Sequence, residues 1–557
     1  MKGHRYWNFV GLLLVICNLH GSAECSMCET CICSSTDSAW IVNCQGKRLE
    51  DNNHHRFDLL MFDEQPHLSV LNLAENGMNF LPTDMFTNLV NLKTLNLSGN
   101  RLQEIPENAF DQLWSLVDLD LSRNNLTALP ERMITKITNL QRLNLSQNQL
   151  SVLDPDLKLL TNLTWLDVSH NNIQSLENGS LQSLTQLEHL DLSFNRIDSL
   201  GENNVIHLTQ LATLILNNNR LVYLSPHELP VSITNLNAGY NMITNVPETL
   251  NNLQKLDMEY NEIVELNDNL SLLNRAKSLN FSGNKLTDFP NVKFEKLETL
   301  DLSFNKLSVV PETLTSENIP ELSTLVISGN PIRELKFNTK LNLEWLIAQS
   351  LELVESIEED AFSNLDNERS EGCLNLIISQ NKRLTKIDAN AFRDVNLCLL
   401  DLSSNNLSSI SPGLIKMQNN TGLLKYGVNL QSNPFHCDCT LQWMLVDLVP
   451  KLYDAYPQLL DDLKCASPPD KKYMRMLHWY KWKDQVFCED SQILVSKVVV
   501  EAAGVMSQSS ETIKIESSTG MLAALIGAVV VLSMLVTVGI VLARRIAIKR
   551  SRKNRRF

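Results

Sequence analysis

The stretch NLKTLNLSGNRL, residues 91–102, decides the fold. Taking Leu92 as position 1, leucine recurs at positions 4, 6 and 11 (Leu95, Leu97, Leu102), and asparagine stands at position 9 (Asn100). The same frame returns as SLVDLDLSRNNL, NLQRLNLSQNQL, NLTWLDVSHNNI, QLEHLDLSFNRI, KLETLDLSFNKL and NLCLLDLSSNNL. Position 9 is Asn76, Asn100, Asn124, Asn148, Asn171, Asn195, Asn219, Asn241, Asn261, Asn284, Asn305, Asn330, Asn381, Asn405 and Asn433, with Leu351 in one degenerate copy. Self-similarity at a fixed short period marks a stacked repeat array. Positions 3 to 5 alternate outward, inward, outward, as a short strand does. The leucines of one unit cannot be buried by that unit alone, so neighbours must stack to enclose them. About sixteen units at ~4.8 Å per strand predict a sheet roughly 75 Å long.

This frame resembles the extracellular leucine-rich-repeat family over residues 65–433. The resemblance implies an α/β-type solenoid, a horseshoe with a parallel concave β-sheet. It also implies that each position-9 asparagine hydrogen-bonds along the stack to turn backbone. Cysteine clusters flank the array: Cys28, Cys31, Cys33 and Cys44 in residues 24–64, and Cys437, Cys439, Cys465 and Cys488 in residues 434–488. They look like the family's terminal caps, whose pattern implies bridges Cys28–Cys33, Cys31–Cys44, Cys437–Cys465 and Cys439–Cys488. Each such bridge is worth about 2–4 kcal/mol. Zinc is the competing use of a Cys-x-x-Cys pair, but a secreted segment is oxidised and favours disulfides. Cys25, Cys373 and Cys398 remain. Cys373 occupies buried position 1, whereas Cys398, at position 2, is expected to point elsewhere, so their pairing stays open.

The chain ends give an address. Lys2 and Arg5, an apolar run from Trp7 to Cys17, and Gly21-Ser22-Ala23 read as a signal peptide over residues 1–23. Residues 489–519 read as a stalk. Residues 520–543 are apolar enough for a transmembrane helix, and eight basic residues follow in 544–557. Positive charge beside a span marks the cytoplasmic side, so a single-pass type I protein of the plasma membrane is expected. Setting aside the tail and the leader moves the formal charge from -15 to -25. So acidic an ectodomain disfavours nucleic acid and other polyanions as partners.

Nine sequons map expected glycoprotein surface: Asn96, Asn125, Asn144, Asn162, Asn178, Asn269, Asn280, Asn406 and Asn419. Asn96, Asn144 and Asn280 hold position 5, expected to face solvent on the sheet. Aspartate is common there (Asp120, Asp167, Asp191, Asp257, Asp301) and reads as solvent-facing decoration. Later units instead offer Val326, Trp345, Ile347, Ile377 and Leu399, expected to form one exposed apolar patch of the kind that marks interaction sites. Internal packing around a distorted unit is the alternative. A second candidate row is position 8 at the strand exits (His170, Phe194, Asn218, Tyr240, Tyr260), which Trp165 and His189 could extend.

No nucleophile motif, paired catalytic carboxylates, phosphate loop or metal signature accompanies the repeats, so neither an enzyme nor a cofactor is expected. The layout looks like the Tartan and Capricious type of cell-recognition protein, with a shorter tail and neither a TIR nor an immunoglobulin module. It implies a receptor or cell-adhesion molecule that binds a protein ligand or an opposing surface protein, homophilic association included. A co-receptor or innate-immune recognition protein signalling through an associated chain is the alternative.

Overall fold

A computed structural model describes residues 28–488 apart from 29, 37–38, 50–66, 177–178, 202–203, 248–249, 367–371, 415–423 and 479–485. The expected signal peptide, stalk, span and tail, with Cys25, Asn178 and Asn419, lie outside the described residues. Among the described residues no helix is long and apolar enough to cross a membrane.

One 18-stranded sheet carries the repeat. It opens with an antiparallel hairpin, Ile32–Thr36 against Ala39–Asn43, and continues in parallel from Leu68–Asn72 onward. Each repeat contributes a short strand at positions 3 to 5, such as Thr94–Asn96, with position 4 buried and its neighbours half-buried. In-register pairing aligns position 4 across units, as Leu95 with Leu119 and Leu119 with Leu143. Leucines at positions 1, 4, 6 and 11 thus fuse into one continuous core. Burying each is worth about 1.5–3 kcal/mol, available only when neighbouring units are stacked.

The position-9 asparagines staple the stack. The Asn124 Nδ2 donates to Leu121 O at 3.0 Å in its own unit and to Leu97 O at 3.1 Å in the preceding one. Its Oδ1 accepts the Leu102 N–H at 3.1 Å. Where Leu351 replaces the asparagine, the next ladder residue still reaches back, Asn381 Oδ1 accepting the Leu351 N–H at 2.7 Å.

The return segments depart from the α/β expectation. Among the described residues they consist of turns, 3₁₀ pieces such as Pro155–Leu159 and Asp268–Leu273, short parallel strand pairs such as Leu341–Asn342 with Leu365–Asp366, and one short α-helix at Glu131–Ile134. The physical reason is length: 20–25 residues per unit leave too few for a helix after the strand and turn, since isolated helices need several turns to be stable. Phenylalanines fill these turns, Phe86 against Phe110 and Phe337 through Phe362 to Phe392.

Disulfides join Cys28–Cys33 and Cys31–Cys44 at one end, and Cys437–Cys465 and Cys439–Cys488 at the other. The final leucine layer is covered by Phe435, Leu441, Met444 and Leu448, the last two leading into the helix Val449–Ala455. Trp443 donates from Nε1 to Ile410 O at 3.2 Å, tying this cap to the repeats. A fifth bridge joins Cys373 to Cys398. The expectation that Cys398 points elsewhere is therefore corrected. The pairing of Leu374–Ile377 with Leu397–Asp401 slips at Leu374/Asn375, so Leu374 faces Leu397 while Asn375 faces Leu399. That bulge turns Cys398 inward, where it is buried.

Candidate binding face of the sheet

Position 5 is not decoration. In every unit where it is Asp or Asn, its side chain accepts the backbone N–H two residues on. Examples are Asp120 with Ser122 at 2.9 Å, Asp191 with Ser193 at 2.8 Å and Asp301 with Ser303 at 2.8 Å. The concave sequons make the same bond, Asn96 to Ser98 at 2.8 Å, Asn144 to Ser146 at 3.0 Å and Asn280 to Ser282 at 3.0 Å. These side chains are half-buried caps at the strand exits, because the chain must turn there and position 7 would otherwise lose its acceptor. Asn280 also donates to Asp257 at 3.1 Å and Glu259 at 3.5 Å. Among the other sequons, Asn125, Asn162, Asn269 and Asn406 are exposed.

Four units give up this cap: Ile215, Val326, Ile347 and Ile377 hold position 5 instead. The last three are consecutive, Val326 paired with Ile347 and Ile347 with Ile377. In the middle unit Ser328 Oγ substitutes, accepting the Gln349 N–H at 3.0 Å. A net hydrogen bond is worth about 0.5–1.5 kcal/mol. Three adjacent rungs thus exchange stabilising caps for half-exposed aliphatic surface.

Trp345 lies beside this row with 37% of its surface exposed. The patch is not one unbroken apolar row. At position 3 the order is Thr324, Trp345, Asn375, Leu399, so a polar residue separates Trp345 from Leu399. The repeat frame itself sets Leu399 opposite Asn375, since both hold position 3. Asn375 was not singled out in the sequence, where a polar residue at position 3 is ordinary. Ile215, an isolated apolar rung beside Asp191, was likewise missed.

Trp165 and His189 sit two and three units from Asp118 on the same row. Their rings are parallel at 5.5 Å, and the Arg142 guanidinium covers the other face of Trp165 at 4.8 Å while approaching Asp118 at 3.6 Å. Burial holds the His189 imidazole below its usual value, against the upward pull of Asp191 and Asp167. At the strand exits His170 stacks on Phe194 at 4.0 Å and Tyr240 on Tyr260 at 4.7 Å. All four have positive φ, between 48° and 53°. The repeat turn demands that conformation, and a side chain adopting it lies along the stack. Phe304, which the sequence reading left out, does the same over Gly329, where an added Cβ would come within 2.4 Å of its ring.

Burial raises the carboxyl of Asp301 above its ordinary value of 3.8, with Asp257 adding to the effect against the hydrogen bonds from Ser303. The folded state then holds that proton more tightly than the unfolded chain. Stability from this group is greatest below 3.8 and falls as pH climbs through the raised value. Thermal unfolding of Asp301→Asn combined with Ser303→Ala, which keeps the cap without creating a sequon, should show a flatter loss of midpoint between acid and neutral pH than wild type. An unchanged slope would refute the assignment.

Fold, asparagine ladder and capped sheet face together define a repeat solenoid built on one continuous sheet. The chain belongs to the leucine-rich-repeat family: leucine-rich-repeat models match residues 66–126, 114–158, 161–221 and 296–316, and the BspA-type leucine-rich-repeat region matches 330–437. It is 27% identical to mouse CD180 antigen over 270 residues, 41% of this chain and 38% of that protein. It is 33% identical to bovine osteomodulin over 129 residues, 22% of this chain and 30% of that protein. The chain therefore matches less than half the length of either. Among solved structures the leucine-rich-repeat domain of APL1 aligns at 21% identity and TM-score 0.46, covering 66% of this chain and 90% of that one.

Proposed function

We propose that the chain is a cell-surface receptor or adhesion molecule that binds a protein partner through the face formed by Val326, Trp345, Ile347 and Ile377. The observation that carries this reading is the run of three rungs without an Asp or Asn cap. A surface that forgoes stabilising bonds to display aliphatic groups beside an exposed tryptophan has the composition of a binding hot spot. The expected helix at 520–543 would anchor the chain in the plasma membrane with its N-terminus outside. The solenoid fold is typical of protein-interaction molecules, and among the described residues no group of three or more His, Cys, Asp or Glu could hold a metal. The similarity to CD180 antigen favours a second reading, a co-receptor in innate recognition that signals through an associated chain.

A cell-aggregation assay tests the first reading. Cells expressing the chain should cluster with one another or with a second population. Trp345→Glu should abolish clustering at unchanged surface level. Clustering that survives the substitution would remove the patch from the account, and absence of clustering with wild type would transfer weight to the co-receptor.

A further inference from the structure

The Asn375 side chain is out of place on a solvent-facing row. Only 6% of the residue is exposed, although every other side chain at position 3 is half-buried or exposed. Its Nδ2 donates to Glu344 O at 3.1 Å, which fixes which way round the amide sits. Its Oδ1 is buried and has no hydrogen-bond partner among the described residues. Buried acceptors are almost always met, so an unmet one at a binding face calls for a donor from outside.

The surroundings say what kind of donor. Trp345 and Leu399 stand on the strands either side of Asn375, so their backbones are two strand spacings, roughly 10 Å, apart. The rung between them is a slot one strand wide, with an indole on one side and an aliphatic side chain on the other. Ile377 continues it at position 5, and the Asp401 carboxylate lies beside Ile377. Only one oxygen of Asp401 is described in its cap to Ser403, at 2.9 Å. At the other end of the apolar row Val326 adjoins Asp301. The row is thus bracketed by carboxylates, in an ectodomain of formal charge -25 by sequence.

We propose that this slot receives an arginine side chain of the protein partner, with Asn375 Oδ1 accepting one of its N–H groups. The inference rests on the patch being the binding face. An arginine stem packs on Leu399 and Ile377, its flat guanidinium stacks on Trp345, and its remaining donors face Asp401. Oδ1 is covered in the unbound protein, so the arginine reaches it only when a side chain at the rim moves aside. Asn375 is then a specificity-determining residue, since an apolar partner side chain fills the slot but leaves the acceptor unmet.

The test uses the full-length chain in detergent and fluorescein-labelled peptides with arginine or norleucine at the centre of a valine- and leucine-flanked sequence, read by anisotropy. The arginine peptide should bind about 10-fold more tightly, the ratio expected of a charge-assisted hydrogen bond. Asn375→Leu should erase that preference at an unchanged thermal midpoint, with Asn375→Ala as the second variant if the larger side chain perturbs folding. Equal binding of the two peptides, binding of neither, or a preference that survives both Asn375 substitutions would overturn the slot. Trp345→Ala separates the two layers of the argument. Weakened binding of every peptide keeps the patch whatever becomes of the slot, whereas unchanged binding of every peptide removes both.

Discussion

Asn124→Ala should lower the local opening free energy around residues 97–126 by about 3–5 kcal/mol. The substitution deletes the Nδ2 bonds to Leu121 O, Ser122 O and Leu97 O, and the acceptor of the Leu102 N–H. The three carbonyls keep other donors, Leu121 O from Asn148 at 3.0 Å, Ser122 O from the Gly99 N–H at 2.9 Å and Leu97 O from Asn100 at 2.8 Å. The Leu102 N–H is left buried without its acceptor, and that orphaned donor is the largest part of the cost. Native-state hydrogen exchange reads the effect where it falls, because a repeat stack opens locally and not as one unit. Gln149→Ala, at an exposed position one residue past the next ladder asparagine, should change protection by less than about 0.5 kcal/mol. Equal effects from the two substitutions would mean that leucine packing alone holds the units in register.

Val326→Asn should abolish cell clustering at normal surface expression. The new side chain can cap the Ser328 N–H as Asn280 caps that of Ser282, so folding is supported and not impaired. It also stands two residues before Ser328 and so forms a glycosylation acceptor, setting a bulky glycan in the middle of the apolar row. Loss of clustering by at least about 100-fold in effective affinity is expected, the scale of a blocked hot spot. Ile347→Asn separates the cap from the sugar, because Gln349 follows it and no acceptor is created. It should weaken clustering by about 10-fold, as expected for one aliphatic contact of 1–2 kcal/mol. A glycosylated Val326→Asn chain that clusters normally would place the binding face elsewhere.

The stack was legible in the sequence because its signals are periodic. Leucine at positions 1, 4, 6 and 11 and asparagine at position 9 repeat often enough for strand, core and ladder to be placed residue by residue. Other features depend on a single local geometry. The position-5 cap is a bond to the residue's own backbone two positions later, so an aspartate there looks like ordinary solvated charge. The Cys373–Cys398 bridge needs the slip at Leu374/Asn375, and the frame count that assigned Cys398 to an outward position assumes no slip. Asn375 shares position 3 with Trp345 and Leu399, so the frame places it between them, but its burial and unmet acceptor depend on local packing that the pattern does not show. The patch residues themselves were visible, because aliphatic side chains at a position otherwise held by Asp or Asn break the pattern.

The cap at Asn96, Asn144 and Asn280 has a genetic corollary. Each asparagine caps a serine N–H two residues on, and asparagine, any residue but proline, serine is also the tripeptide that oligosaccharyltransferase reads. Asp120, Asp167, Asp191 and Asp301 precede Ser122, Ser169, Ser193 and Ser303 by the same interval. One first-base codon change from aspartate to asparagine keeps the backbone bond and writes a sugar attachment point onto that rung. Lineages can therefore veil or unveil successive steps of the sheet by point mutation, altering what docks there without renegotiating how the protein folds.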